Sequence, residues 1–339
     1  MLLRLHNRPW ASGLILVALA VAGGPAVAGP RPQNAVGPEQ AAADDRMVAL
    51  PDGRRLHLRC SGAGEPTVIL DAGLGLDSSD WGRVRPGLAA ITRTCAYDRA
   101  GYGQSDPGPL PRDFAGRASD LLGLLDAAAE KAPFVLIAHS AADPTARFAA
   151  ERRPDLIAGL VLVDPGADLE TLRTIGPVWA AAFDMGQSAA LICIRATAAG
   201  EMKPGNALYV ECGSPPTEGR LASREMAAAV LSENEPDKPG AVNIPAAPGA
   251  LRDLPLIVLT AGNKFGENEG AAPTEVHPLR RAWSQAGATI AALSTRGEQR
   301  VVPDASHVIQ FEQPQAVIDA VRDVVAMARA GHAGPAPAS

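Results

Sequence analysis

Aromatic residues make up 4% of the 339-residue sequence and charged residues 20%. The first shortage requires a core built mainly from Ala, Val, Leu and Ile. The second, set beside 47% apolar residues, excludes a disordered polyelectrolyte. Net positive charge is also lacking: at −6 the chain has no basic footprint for nucleic acid. Lysine is scarce, four against 27 arginines, and with the abundant alanine this marks a GC-rich genome rather than a function. No CxxC and no clustered Cys/His spacing is present, so neither a zinc site nor any other metal or cofactor is expected. No internal repeat is visible, and the length allows one large α/β domain or two modest ones.

The apolar run from Gly13 to Ala22 is short for a bilayer core, which needs about 20 residues. Arg4 and Arg8 precede it, and Ala26-Val27-Ala28 supplies a small-x-small pattern before Gly29. Residues 1–28 therefore read as a secretory signal cleaved near Ala28, which implies a secreted or periplasmic protein with no stable membrane anchor. Its loss takes the charge from −6 to −8. Residues 29–45 follow as a flexible leader, and 331–339 as a frayed tail. Export would put Cys60, Cys95, Cys193 and Cys212 in an oxidising compartment, where three pairings are open.

Strand and helix signals alternate from about residue 46 onward. Met47–Leu50 and Arg54–Cys60 flank Pro51-Asp52-Gly53, a hairpin signal. Thr67–Leu70, Thr94–Tyr97, Phe134–Ala138, Ile157–Val163, Leu254–Leu259 and Arg300–Val302 read as further strands. Several of these are apolar on both faces, which belongs to the middle of a parallel sheet covered on both sides. Helices are expected from Ser78 or Ser79 to Ala90, over Phe114–Ala129, up to Arg153, over Pro278–Ala286 and from Pro314 to Ala328. Between them, residues 165–250 break the regularity with helix-like pieces at Leu169–Ile175, Val178–Ala190 and Ala222–Leu231. The fold class is therefore α/β: a doubly wound, mostly parallel sheet formed by 46–164 and 251–330, with one helical insertion at 165–250.

Chemistry concentrates at Phe134-Val-Leu-Ile-Ala-His139-Ser140-Ala141-Ala142. A buried strand ends, one serine sits at the turn, and a small-residue helix begins, as in the G-x-S-x-G elbow. Alanines Ala138 and Ala142 replace both glycines, and Asp143-Pro144 follows. Taken alone, a serine after an apolar strand is more often a helix N-cap than a nucleophile. Three other stretches add to it: Val301-Val-Pro-Asp-Ala-Ser-His307, Asp71-Ala-Gly-Leu-Gly-Leu, and Tyr97-Asp-Arg-Ala-Gly-Tyr-Gly-Gln-Ser-Asp. Together, from about Met47 to Ala328, they resemble the α/β-hydrolase superfamily, specifically its secreted serine esterase or lipase-like branch, including the chain order Ser140, acid, His307.

The resemblance implies Ser140 as acyl-accepting nucleophile, His307 as its base, and the backbone N–H groups of Leu74 and Ala141 as oxyanion hole. Gly73 belongs to the same substrate-facing loop, and His139 reads as packing or elbow support. Asp164 is the expected acid, with Glu267 as the alternative; Asp304 sits too near His307 in their common loop to be preferred. The insertion reads as a lid whose Trp179, Phe183 and Met185, with Leu191 and Ile192, either line a substrate pocket or form the lid's own core. The family's strand order suggests Cys60–Cys95 as one disulfide, and Cys193–Cys212 would restrain the lid. The implied activity is hydrolysis of a small-molecule carboxylic ester or lactone. The fold also supports carbon–carbon bond hydrolysis and perhydrolysis, and the altered elbow leaves open a noncatalytic ligand-binding protein on this scaffold.

Overall fold

The computed structural model describes residues 44–166, 192, 194–201, 223–233, 247–262 and 278–332. Eight strands form one sheet: β1 (Asp44–Ala49), β2 (Arg55–Ser61), β3 (Thr67–Asp71), β4 (Thr94–Tyr97), β5 (Phe134–His139), β6 (Ile157–Val163), β7 (Leu256–Ala261) and β8 (Gly297–Val302). Their order is β1-β2-β4-β3-β5-β6-β7-β8. The pairs β1/β2 and β2/β4 are antiparallel and the remainder parallel. In β3, β5, β6 and β7 every residue is buried, which accounts for their unbroken apolar runs.

The hairpin at Pro51-Asp52-Gly53 closes as its sequence implies. Gly53 takes φ +87°, a region open to glycine, and its N–H donates to Leu50 O at 2.9 Å. Across β2 and β4, Cys60 stands opposite Cys95 with Cα atoms 4.0 Å apart and sulfurs at 2.06 Å.

Helices among the described residues include α1 (Arg85–Ala89), α2 (Phe114–Ala127), α3 (Asp143–Arg152), α4 (Arg224–Glu233), α5 (Pro278–Ala291), α6 (Ile309–Glu312) and α7 (Pro314–His332). One apolar cluster joins α2, α3 and α5 to the sheet through Leu121, Leu124, Ala146, Ala149 and Ile290. The opposite face carries α1 and α7, with Leu88, Val317, Val321, Val324 and Val325 buried. Val317, Val321, Val324 and Val325 share the helix face implied by their 3–4 spacing.

Several boundaries differ from the sequence reading. Asp44 and Asp45, assigned to the leader, belong to β1, where Asp44 pairs with Cys60 and Asp45 with Arg59. A single helix from Ser78 or Ser79 to Ala90 does not form. Asp77 caps a short 3₁₀ turn, Ser78–Trp81, and Pro86, lacking an N–H, sits in the first turn of the separate α1. The last helix passes through Gly331 to His332, two residues that the sequence reading assigned to the tail. Leu169–Ile175 and Val178–Ala190 lie outside the described residues. The third expected piece of the insertion is α4, displaced two residues from Ala222–Leu231.

Candidate active site

Ser140 stands where β5 gives way to a 3₁₀ turn, Ser140–Ala142, that leads into α3. Its φ of +53° is left-handed, a strained position for a non-glycine residue. An N-cap serine would take an extended backbone, so capping is not the role of this residue. Ala138 and Ala142 are fully buried on either side, and their methyl groups are absorbed by the core. Asp143 turns away along its own helix into a two-pronged ion pair with Arg147, at 2.8 and 2.7 Å. Burial pushes the Asp143 carboxyl above the ordinary aspartate range, and Arg147 opposes the shift.

The loop after β8 carries His307 back over this turn. Its Nε2 lies 2.8 Å from Ser140 Oγ, and its Nδ1 lies 2.6 Å from Asp164 Oδ2. Asp164 leaves the carboxyl end of β6 at φ +44° and is fully buried. Its other oxygen accepts from Ala261 N–H at 3.0 Å, at the end of neighbouring β7. A hydroxyl, an imidazole and a carboxylate from three remote stretches therefore form one hydrogen-bonded line.

The elbow's variable residue has a distinct place. His139 Nε2 is 2.9 Å from His307 O, its ring lies 4.8 Å from the His307 ring, and Gln310 Nε2 approaches its Nδ1 at 3.4 Å. It props the loop that holds His307. Gly73 packs onto the same ring: a Cβ there would stand 2.6 Å from His139 Nδ1 and 3.2 Å from Ser140 Cβ. The loop bearing Leu74 thus reaches the serine at glycine's closest approach. Leu74 itself leans on an apolar cluster of Tyr102, Met226, Ala229 and Val230, three of them from α4. Ala141 follows Ser140 in the turn.

The remaining expected site residues are not brought together here. Glu267, Trp179, Phe183, Met185, Cys193 and Cys212 lie outside the described residues, as does Leu191. Ile192 is half-exposed. Sequence reasoning missed Arg99, Arg117 and Glu233, which are buried beside the Leu74 and Ala141 backbone. Arg99 stood inside a quoted motif without a role, and nothing local marked Glu233 as its partner.

The chain belongs to the alpha/beta hydrolase family, whose description matches residues 68–320. It is 32% identical over 111 residues to karrikin insensitive 2 receptor B of Petunia hybrida, covering 32% of this chain and 40% of that protein. Against "Probable esterase D14L" of Oryza sativa subsp. japonica it is 34% identical over 114 residues, covering 32% of this chain and 41% of that protein. The chain thus spans about two fifths of the length of these curated relatives. Among solved structures, a thermophilic esterase from Thermogutta terrifontis superposes with a TM-score of 0.57 at 22% identity, covering 84% of this chain and 99% of that one. That likeness is one of fold.

Proposed function

We propose that this hydrolase cleaves a small-molecule carboxylic ester or lactone through an acyl-enzyme on Ser140. The supporting observation is the line Ser140–His307–Asp164, with 2.8 and 2.6 Å links. Asp164 holds Nδ1 protonated, which leaves the Nε2 lone pair free to accept the serine proton. As Ser140 Oγ attacks the acyl carbon, its proton passes to His307 Nε2, and the carbonyl oxygen becomes an oxyanion facing the N–H groups of Leu74 and Ala141. Collapse expels the alkoxide, which takes the proton from Nε2 and leaves as alcohol. Water then attacks the acyl-enzyme, losing a proton to Nε2, and carboxylic acid departs as Ser140 regains it. In a lactone the alcohol stays tethered to the acyl group.

A noncatalytic ligand-binding role would be favoured by an elbow displaced by its two extra methyl groups. Ser140 instead keeps its left-handed backbone within hydrogen-bond reach of His307, which favours turnover. A fluorophosphonate probe should label Ser140, and Ser140→Ala should lose both the label and p-nitrophenyl ester hydrolysis. An unlabelled native protein, or an Ser140→Ala variant of unchanged activity, contradicts the proposal. Tight binding across ester and lactone panels without turnover would support the binding role. Residues 1–28 are proposed as an export signal, so amino-terminal sequencing of the exported protein should begin near Gly29. Among the described residues, no helix is long and apolar enough to cross a membrane.

A further inference from the structure

Two buried guanidinium groups bond to backbone carbonyls beside the residues assigned as oxyanion donors, and one carboxylate holds both guanidinium groups. Arg99, in the loop after β4, is 3% exposed in its side chain. Its Nη2 donates to Gly73 O at 3.0 Å, while Nη1 donates to Ala72 O and, at 3.0 Å, to Asp71 Oδ1. Gly73 O and the N–H of Leu74 belong to one trans peptide group, so they point in opposite directions. Fixing the oxygen fixes the direction of the N–H. A cation on that oxygen also draws electron density through the amide and makes the N–H a stronger donor.

The turn after Ser140 is held by a second guanidinium, at the Ala141 carbonyl, whose peptide carries the N–H of Ala142. Arg117 of α2 donates to Ala141 O at 3.2 Å and to Glu233 Oε2 at 3.3 Å. Arg99 donates to both Glu233 oxygens at 3.1 Å, and Tyr102 OH adds a bond to Oε2 at 2.9 Å. Glu233 is the last residue of α4, and its side chain is fully buried. Burial pushes its carboxyl up, but the charges of Arg99 and Arg117 outweigh this and hold it below the ordinary glutamate range. Buried ion pairs contribute little net stability against apolar replacements, so the charges gathered behind the Leu74 donor point to preorganisation.

We infer that Arg99 is a positioning residue for the Leu74 oxyanion donor, and that Glu233 couples α4 to that donor through Arg99. This rests on the serine-hydrolase reading above. Through Glu233 the insertion's helix can set the electrostatics of the Leu74 donor without touching substrate.

The test uses the full chain and three variants, Arg99→Met, Arg99→Lys and Glu233→Gln. Arg99→Met should lower kcat about 10²-fold, near the effect of losing one oxyanion donor, while KM changes by less than about threefold. Affinity for a trifluoromethyl ketone, which forms a tetrahedral adduct on serine, should fall in parallel with kcat/KM. The pH midpoint for the His307 limb should stay in place, since Asp164 is untouched. Arg99→Lys keeps charge but cannot span Gly73 O and Glu233 together, so it should recover only part of the loss.

Glu233→Gln keeps the shape and should give a smaller loss of the same kind. It decides the matter if Arg99→Met does not fold. Rates are taken per folded molecule, well below the melting temperature. A merely structural role would reduce the folded fraction yet leave kcat per folded molecule and ketone affinity within about twofold of native, and that result overturns the inference. Absence of fluorophosphonate label on native Ser140 would instead overturn the hydrolase reading. Labelled native protein with native-like Arg99 and Glu233 variants overturns only this inference.

Discussion

Gly73→Ala tests the closeness of the Gly73–Leu74 loop to His139 and Ser140, and with it the proposed oxyanion hole. The added Cβ would lie 2.6 Å from His139 Nδ1 and 3.2 Å from Ser140 Cβ. Restoring an ordinary contact of 3.4 Å requires a displacement of about 0.8 Å. Gly73 does not occupy a positive-φ conformation, so alanine meets no backbone penalty and the contact alone acts. His139 cannot yield freely, because its Nε2 is bonded to His307 O at 2.9 Å. Either the donor loop retreats or His307 shifts, and a misplacement of about 1 Å costs about 10²-fold in rate, equivalent to about 2.7 kcal/mol of transition-state stabilisation. Overpacking should also cost about 1–3 kcal/mol of folding stability.

The assay is kcat and KM on a p-nitrophenyl ester, with urea unfolding in parallel. Gly53→Ala serves as control. Gly53 has φ +87° and nothing within 4 Å of a new Cβ, so that variant should lose about 1–2 kcal/mol of stability at unchanged kcat. A Gly73→Ala enzyme with native kcat would refute the reasoning.

Asp164→Asn should lower kcat by about 10³–10⁴-fold with folding retained, while Glu267→Gln should leave it unchanged; the reverse pattern would move the acid to Glu267. Replacing Cys60 and Cys95 together by alanine should reduce unfolding free energy by about 4 kcal/mol, from a cross-link spanning 35 residues, as read by urea denaturation with and without reductant. The hydrogen bond from Arg93, helped by Arg46 and opposed by burial, holds the Glu130 carboxyl below the ordinary glutamate range. Its folded pKa lies under its unfolded value, so its stabilisation is present above about pH 4.3 and is lost as pH falls through the folded value. Glu130→Gln should therefore flatten the acid side of the urea-midpoint profile, and an unaltered profile would contradict this.

The parallel strands were legible because burial on both faces leaves continuous apolar runs, and Thr94–Tyr97 and Ile157–Val163 match their expected bounds. β8 was read only at its end, since Gly297-Glu-Gln-Arg is part of a half-exposed strand pairing on one side. The break between the Ser78 turn and α1 hinged on Asp77 capping, a side-chain choice among several adjacent candidates. At the site, Ser140, His307 and Asp164 could be picked out because each ends a strand or follows one in a family-like order. Glu233 could not, because its worth depends on Arg99 and Arg117, 134 and 116 residues away. Interactions at that range carry no local pattern, so only the fold brings them into view.

The most direct test of the central claim is to trap the acyl-enzyme. Native protein mixed rapidly with a p-nitrophenyl ester and quenched in acid should carry one acyl group, mapped by peptide mass spectrometry to Ser140. Asp164→Asn should form it far more slowly, and Ser140→Ala should not form it at all. Hydrolysis at the native rate with no acylated intermediate, or with the acyl group on another residue, would contradict the account.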